Sequence, residues 1–279
     1  MPAFTAPDGT RLAYHVAGEG EPLICLPGGP MRASAYLGDL GGLSKRRRLV
    51  LLDLRGTGDS EVPADPSTYR CDRQVGDVEA LRVRLGLESV DLLAHSAAGD
   101  LALLYAARYP RRVRTLTMVA ARARALGVDF TTEHRLEAAA LRAGEPWFAG
   151  ARGAYGRIWD GTATDADFDA AMPFFYGRWD AAAEAHAAGE VEQTNEPAGD
   201  AYASAGAFDP AAARAALAGW DARILVLAGE RDGGSLPRVA AAVAELLPHA
   251  ELVVQEGAGH FPWVDDPGRF TEAVASFLG

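Results

Sequence analysis

The sequence predicts an α/β fold, with a mostly parallel sheet, helices on both faces, and a helical cap inserted before the last two strands. Three observations carry that expectation. Short apolar runs without alternation, such as Pro22-Leu23-Ile24-Cys25-Leu26 and Leu49-Val50-Leu51-Leu52, have the composition of strands buried on both faces. Stretches of helical composition alternate with such runs in the first part of the chain and again near its end. Between these parts the alternation stops, and an alanine-rich, aromatic, mostly helical segment takes its place. Residues 1–123 and 222–279 are therefore expected to form the core, and residues 124–221 the cap.

Each element has its own local reason. Arg11 to Val16 alternates between apolar and polar residues after the Asp8-Gly9 turn, as a hairpin strand does. The run Pro22 to Leu26 ends at Pro27-Gly28-Gly29-Pro30, and a helix is expected from about Ala33 to Leu43. The strand Leu49 to Asp53 leads into a second glycine loop, Arg55-Gly56-Thr57-Gly58-Asp59-Ser60. A helix from about Asp72 to Leu85 and a strand from Val90 to Leu93 follow. The next helix starts at Ala97 and is ended by Pro110, and Val113 to Ala120 reads as a strand. Past the insertion come a strand at Ile224 to Ala228, a helix from Pro237 to Leu246, a strand from Glu251 to Val254 and a terminal helix from Pro267 to Leu278.

A chain of 279 residues with 49% hydrophobic content can bury a large core. No apolar run is long enough to cross a bilayer, and Met1-Pro2-Ala3-Phe4 has neither the basic nor the apolar part of a signal peptide, so a cytoplasmic location is expected. The formal charge of −11 argues against nucleic acid and anionic membrane as partners. Lys45-Arg46-Arg47-Arg48 is the one basic run, and it reads as solvated charge at a helix end. Cys25 and Cys71 read as ordinary core thiols. His15, His134, His186 and His249 have no carboxylate or cysteine at metal-ligand spacing, and no cofactor loop is visible, so neither a metal nor a cofactor is expected. Asp53, Arg55 and Asp59 could hold a phosphate with their glycines, but no Gly-Lys-Ser/Thr follows, which favours a structural loop. Oligomeric state leaves no mark in the sequence.

The stretch Leu92-Leu93-Ala94-His95-Ser96-Ala97-Ala98-Gly99-Asp100 has the form of a nucleophile elbow, a serine at a sharp strand-to-helix turn. Alanines stand at positions 94 and 98 where the strict pattern has glycines, and they meet the need for small residues nearly as well. Such a turn strains the serine backbone, exposes its hydroxyl, and aims the first amides of the helix at the same point. Ligands in parallel α/β sheets sit outside the carboxyl ends of the strands. Asp232 follows its strand in Gly229-Glu230-Arg231-Asp232-Gly233-Gly234, and His260 follows the last strand in Gly257-Ala258-Gly259-His260-Phe261-Pro262. Taken singly, Ser96 or Asp232 could cap a helix and His260 could be a core histidine. In the order Ser, Asp, His, each at a strand end, they read as a catalytic constellation. His95 is expected to face away from the nucleophile and to be structural.

Through Pro27-Gly28-Gly29-Pro30, Asp53-Leu54-Arg55-Gly56-Thr57-Gly58-Asp59-Ser60 and Gly257-Ala258-Gly259-His260-Phe261-Pro262-Trp263, the sequence resembles the α/β-hydrolase superfamily, and within it the proline iminopeptidase-like branch. The resemblance covers the core, and the insertion only weakly. It implies Ser96 as nucleophile, His260 as general base and then acid, and Asp232 as the carboxylate that orients the imidazole. It also implies an oxyanion hole at the backbone amides of Gly29 and Ala97. Pro27 and Met31 depart from the branch, which usually has histidine and glycine there.

The expected activity is that of a serine hydrolase forming an acyl-enzyme on a small ester, lactone, amide or N-terminal aminoacyl substrate, a small molecule or short peptide. The alternatives are a non-hydrolytic step on the same fold, such as cyclisation or carbon-carbon bond cleavage, and a binding protein without chemistry. Between Arg124 and Asp221 there are 16 Asp or Glu against 7 Arg, which gives this segment −9 of the chain's charge and favours a neutral or cationic substrate. The resemblance also implies cap carboxylates for a free amino terminus, which Trp159-Asp160 and Trp179-Asp180 only approximate. Trp147, Trp159, Phe174, Phe175, Tyr176 and Trp179 are the expected apolar walls of the cleft.

Overall fold

The computed structural model describes residues 2–279. Its strands, in chain order, are β1 (Ala3–Thr5), β2 (Arg11–Ala17), β3 (Pro22–Leu26), β4 (Arg48–Leu52), β5 (Val90–His95), β6 (Val113–Val119), β7 (Arg223–Gly229) and β8 (Ala250–Gln255). They form one sheet in the order β1-β2-β4-β3-β5-β6-β7-β8. β1 and β2 pair antiparallel, and β2 pairs antiparallel with β4. All other neighbours are parallel.

The apolar runs supply side chains to both faces, as strands buried on both sides must. On β3, Ile24 and Leu26 join one hydrophobic cluster, while Leu23 and Cys25 join the other. Helices α1 (Val75–Arg84) and α2 (Ala98–Arg108) bring Val78, Leu81, Leu101 and Tyr105 to the first cluster. The second is closed by Tyr36, Leu37, Leu43 and, later in the chain, Phe270, Val274 and Phe277 of the terminal helix. Cys25 and Cys71 are buried free thiols.

The expected helix from Ala33 to Leu43 does not form. Two short 3₁₀ turns, Ser34–Leu37 and Leu43–Lys45, take its place, because Gly38, Leu40, Gly41 and Gly42 all adopt positive φ, which no right-handed helix accommodates. The basic run thus lies at the end of a 3₁₀ turn instead of an α-helix, with Lys45 and Arg46 exposed there. Arg47 is buried, donating to the Leu278 carbonyl at 2.8 Å and lying 3.4 Å from Asp91, so it ties the chain's end to the sheet.

Between β6 and β7 the chain is helical: α3 (Thr132–Ala140), α4 (Phe148–Asp160), α5 (Asp165–Ala171), α6 (Ala181–Ala187), α7 (Glu190–Gln193), α8 (Glu196–Tyr202) and α9 (Pro210–Leu217). Thr131, Asp180, Asn195 and Asp209 cap four of these helices with their side chains. The core resumes with α10 (Pro237–Leu246), α11 (Pro262–Asp265) and α12 (Pro267–Leu278).

The strand order decides where a ligand can sit. From β3 the chain crosses to β4 on one side and returns to β5 on the other, so the loops leaving β3 and β5 diverge and open a crevice between them. The register pairs Leu26 with Ala94. The first glycine loop and Ser96 are thus neighbours, although nearly seventy residues of chain separate them.

Candidate active site

Ser96 leaves β5 with φ of 53°, a left-handed conformation that a residue with a Cβ adopts only under constraint. The constraint is local: the Ser96 amide donates to the Val119 carbonyl at 3.0 Å, and the Ser96 carbonyl accepts from Gly99 and Arg122 at 3.0 and 2.9 Å. The glycine loop presses on this turn. A Cβ at Gly28 would stand 2.7 Å from the Ser96 Cβ and 2.7 Å from the His95 carbonyl oxygen, so only glycine permits the approach. Gly29 and Ala97, the two residues expected to supply oxyanion donors, flank Ser96 in one cavity of about 570 Å³. Neither amide has a hydrogen-bond acceptor among the described residues.

His260 Nε2 lies 2.9 Å from Ser96 Oγ, and its Nδ1 lies 2.9 and 3.0 Å from the two carboxylate oxygens of Asp232. Asp232 is fully buried and also accepts from the Gly234 amide at 2.6 Å. The carboxylate therefore holds the imidazole from one side while a backbone amide fixes the carboxylate. The insertion clamps both loops: the His260 amide donates to the Phe175 carbonyl at 2.7 Å, the Gly233 amide to Phe174 at 3.0 Å, and the Tyr155 hydroxyl to Gly233 at 2.7 Å. That backbone role of Phe174 and Phe175 had no mark in the sequence, since any residue type offers a carbonyl.

His95, expected to face away from the nucleophile, is buried but lines the same cavity as Ser96, its ring 4.8 Å from that of His260. Its Nε2 must donate to the His260 carbonyl at 2.8 Å, because a carbonyl can only accept. Its Nδ1 then accepts from the Tyr36 hydroxyl at 2.7 Å, and that hydroxyl accepts from the Gly28 amide at 2.7 Å. Burial, and then the neighbouring His260, keep the His95 imidazole well below its ordinary pKa and hence neutral. One chain of hydrogen bonds thus joins the glycine loop to the backbone of His260. Tyr36→Phe would strand the Gly28 amide and His95 Nδ1 together, and a loss of about 1–3 kcal/mol of stability is expected, with a lower kcat, read by urea unfolding and steady-state kinetics.

His186 of α6 makes a comparable link between insertion and core, Nε2 donating to the Tyr36 carbonyl at 2.9 Å and Nδ1 accepting from the Tyr176 hydroxyl at 2.7 Å. Burial pushes its pKa down to about 4, against the pull of the Tyr36 carbonyl and with help from Arg32. An unfolded histidine titrates near 6.5. Between those values the unfolded chain binds the extra proton, so stability drops as pH falls through this window, by about 1.4 kcal/mol per pH unit for this group. Urea unfolding at pH 7 and pH 5 checks it: His186→Gln should lose less stability than wild type on acidification, and an equal loss would refute the assignment.

Of the six aromatics expected to wall the cleft, Trp159 and Phe175 line the cavity. The other four pack elsewhere. Phe174 is fully buried, stacked on Tyr155 with centroids 4.3 Å apart, and Trp147 meets its edge at 4.9 Å under the Arg142 guanidinium. Tyr176 is buried against Phe261 and His186, and Trp179 packs on Tyr176. Helix composition identified them as apolar, but the direction each faces depends on how the insertion's helices pack.

The insertion's net charge does not carry into the cavity. Its walls hold Arg32, Arg122, Arg124 and Arg135 against Asp129, Glu190 and Asp200. Asp129 and Asp200 are exposed at the rim, and Glu190 lies 3.7 Å from Arg32. Asp160 is exposed, and Asp180 is taken up as the N-cap of α6, so neither Trp-Asp pair offers a carboxylate to a bound ammonium group. The charge count behind the expectation of a neutral or cationic substrate therefore does not describe the cavity: most of the segment's acids decorate the outward faces of its helices.

The second glycine loop is structural. Asp53 accepts from the amide and hydroxyl of Ser34, from the Asp59 amide and from His15 Nε2, at 2.7–3.0 Å. Arg55 makes a two-pronged pair with buried Asp77 and reaches Asp8. The fold brings His15 within 3.6 Å of Asp59 as well, a grouping that sequence spacing does not reveal, but four donors already occupy the Asp53 carboxylate.

Comparison with known proteins agrees with this architecture. The family model described as alpha/beta hydrolase fold matches residues 21–267. A proline iminopeptidase of Heyndrickxia coagulans is 36% identical over 99 residues, 36% of this chain and 34% of that protein, so the chain spans about a third of that relative's length. The AB hydrolase superfamily protein YclE of Bacillus subtilis is 24% identical over 97% of this chain and 96% of its own. Among solved structures, an esterase from Exiguobacterium antarcticum superposes with a TM-score of 0.75 at 20% identity, covering 99% of this chain and 98% of the other, a likeness of fold.

Proposed function

The chain belongs to the α/β-hydrolase family, and from that premise we propose that it is a serine hydrolase acting in the cytoplasm, through an acyl-enzyme, on a small ester, lactone or amide. One observation carries the proposal: Ser96 Oγ, His260 Nε2 and Nδ1, and the Asp232 carboxylate form a continuous hydrogen-bonded series at the floor of a cavity. In this reading Ser96 Oγ attacks the scissile carbonyl while His260 Nε2 takes its proton. Asp232 stabilises the resulting imidazolium and holds the tautomer that leaves Nε2 free to accept. The amides of Gly29 and Ala97 receive the developing oxyanion, and each such donor is worth about 3 kcal/mol in comparable sites. His260 then returns the proton to the leaving group, and water repeats the sequence on the acyl-enzyme. Residues 124–221 act as a cap that walls the cavity and holds the Asp232 and His260 loops.

The aminopeptidase limb of the earlier expectation has less support, since a substrate ammonium would find only rim carboxylates and a glutamate already beside Arg32. A fluorophosphonate probe tests the reading directly. Labelling at Ser96, abolished in Ser96→Ala, is the expected result. An intact protein that takes up no probe would remove the nucleophile and with it the proposal.

A further inference from the structure

Two guanidinium groups in the cavity have no carboxylate partner among the described residues. Arg122 forms neither an ion pair nor a side-chain hydrogen bond with any described residue, and Arg135 makes a single long contact, to the Trp159 carbonyl at 3.3 Å. Both sit on the same indole, Arg122 at 5.1 Å and Arg135 at 4.7 Å from the Trp159 ring, and Arg122 also lies 5.2 Å from Phe130. Cation–π contact orients these groups but leaves their N–H donors free. Of the other charges facing them, Arg124 is drawn 3.3 Å from buried Asp100, and exposed Asp129 pairs with neither.

The position of Arg122 relative to the chemistry is fixed by backbone. The Arg122 amide donates to the Ser96 carbonyl at 2.9 Å, and a Cβ at Gly99 would collide with the Arg122 carbonyl, so this arginine is packed directly on the turn that carries the nucleophile. Its side chain and Ser96 line the same cavity. Resting on the reading of Ser96 as nucleophile, we propose that Arg122 and Arg135 form an anion subsite, and that the natural substrate is an ester, lactone or amide carrying a carboxylate a few bonds from its scissile carbonyl. A planar carboxylate matches the guanidinium fork, which a point charge such as ammonium would repel. Burial holds the Arg122 pKa down to about 10, with Arg124 adding repulsion against the pull of Asp232 and Asp100, and Arg135 repelling as well. The group is still charged at neutral pH, and a bound carboxylate relieves that crowding of like charges.

Two pairs of aryl esters test the inference by phenol release: monophenyl glutarate against its methyl ester, and 4-acetoxybenzoate against its methyl ester. The anionic member is expected to have the higher kcat/KM in at least one pair, by about 10- to 100-fold, and that ratio should collapse in Arg122→Gln and shrink in Arg135→Gln. Arg122→Lys, which keeps the charge without the fork, should recover part of it. Preference for the neutral ester in both pairs, or a ratio unchanged in both Gln variants, overturns the inference. A binding arm needs no turnover. Calorimetry of Ser96→Ala with monophenyl glutarate should show tighter binding than with its methyl ester, and the difference should vanish when Arg122→Gln is added. Arg122-dependent anion binding without hydrolysis of any ester would sink the hydrolase reading and leave the subsite standing. Hydrolysis of neutral esters without such binding would do the reverse.

Discussion

Ser96→Ala is expected to lower kcat by about 10⁶, the cost of removing a nucleophile from a comparable triad, and to leave the fold intact. The replaced hydroxyl has one side-chain partner, His260 Nε2, and that atom lines the cavity wall. Alanine tolerates the positive φ of this position no worse than serine does. The companion variant is less clean. His260→Ala should be as inactive, but it removes the imidazole from a fully buried Asp232, which would keep only the Gly234 amide as donor. A stability loss of about 1–3 kcal/mol is expected with it. Single-turnover kinetics together with urea unfolding separate the two effects. Turnover near wild type in folded Ser96→Ala would refute the nucleophile assignment.

Asp232→Asn should cost about 10⁴ in kcat through the imidazole tautomer. The backbone decides which way the new amide points. Asp232 Oδ1 accepts from the Gly234 amide at 2.6 Å, so the asparagine oxygen must take that place, and its NH₂ then faces His260 Nδ1 at the 2.9 Å position of Oδ2. Nδ1 becomes an acceptor, the proton moves to Nε2, and the atom facing Ser96 can no longer take the hydroxyl proton. Glu230, the neighbouring acid in the same turn, is exposed and bonded to the Gly257 amide at 2.8 Å, so Glu230→Gln is expected to be nearly neutral. An active Asp232→Asn beside an inactive Glu230→Gln would reverse the two roles.

Some of the site was visible in the sequence because its cause is local. Apolar runs of five or six residues fix strands, and a residue just past a strand end lies at the carboxyl edge of a parallel sheet. Ser96, Asp232 and His260 were found by that rule. Arg122 obeys it too, two positions past Ala120, but an arginine there is neither a nucleophile nor a base, so the sequence alone does not mark it. The error over residues 33–43 was also local in origin: leucines and alanines set a helical tone, while three glycines with positive φ broke it.

The sequence by itself determined the α/β architecture, the elbow and the order of the three residues brought together at the sheet's edge, since periodicity, residue size and strand ends are properties of neighbours along the chain. Only the tertiary structure decided which walls face the cavity. The crossing from β3 to β4 and back to β5 sets Gly28 against Ser96, and helix packing turns Trp159 inward and Phe174 into the insertion's own core. Charge followed the same division. Net charge counts every acid equally, whereas a cavity gathers the few side chains that helix packing points into it, and here those include two arginines on one tryptophan that have no ion-pair partner among the described residues.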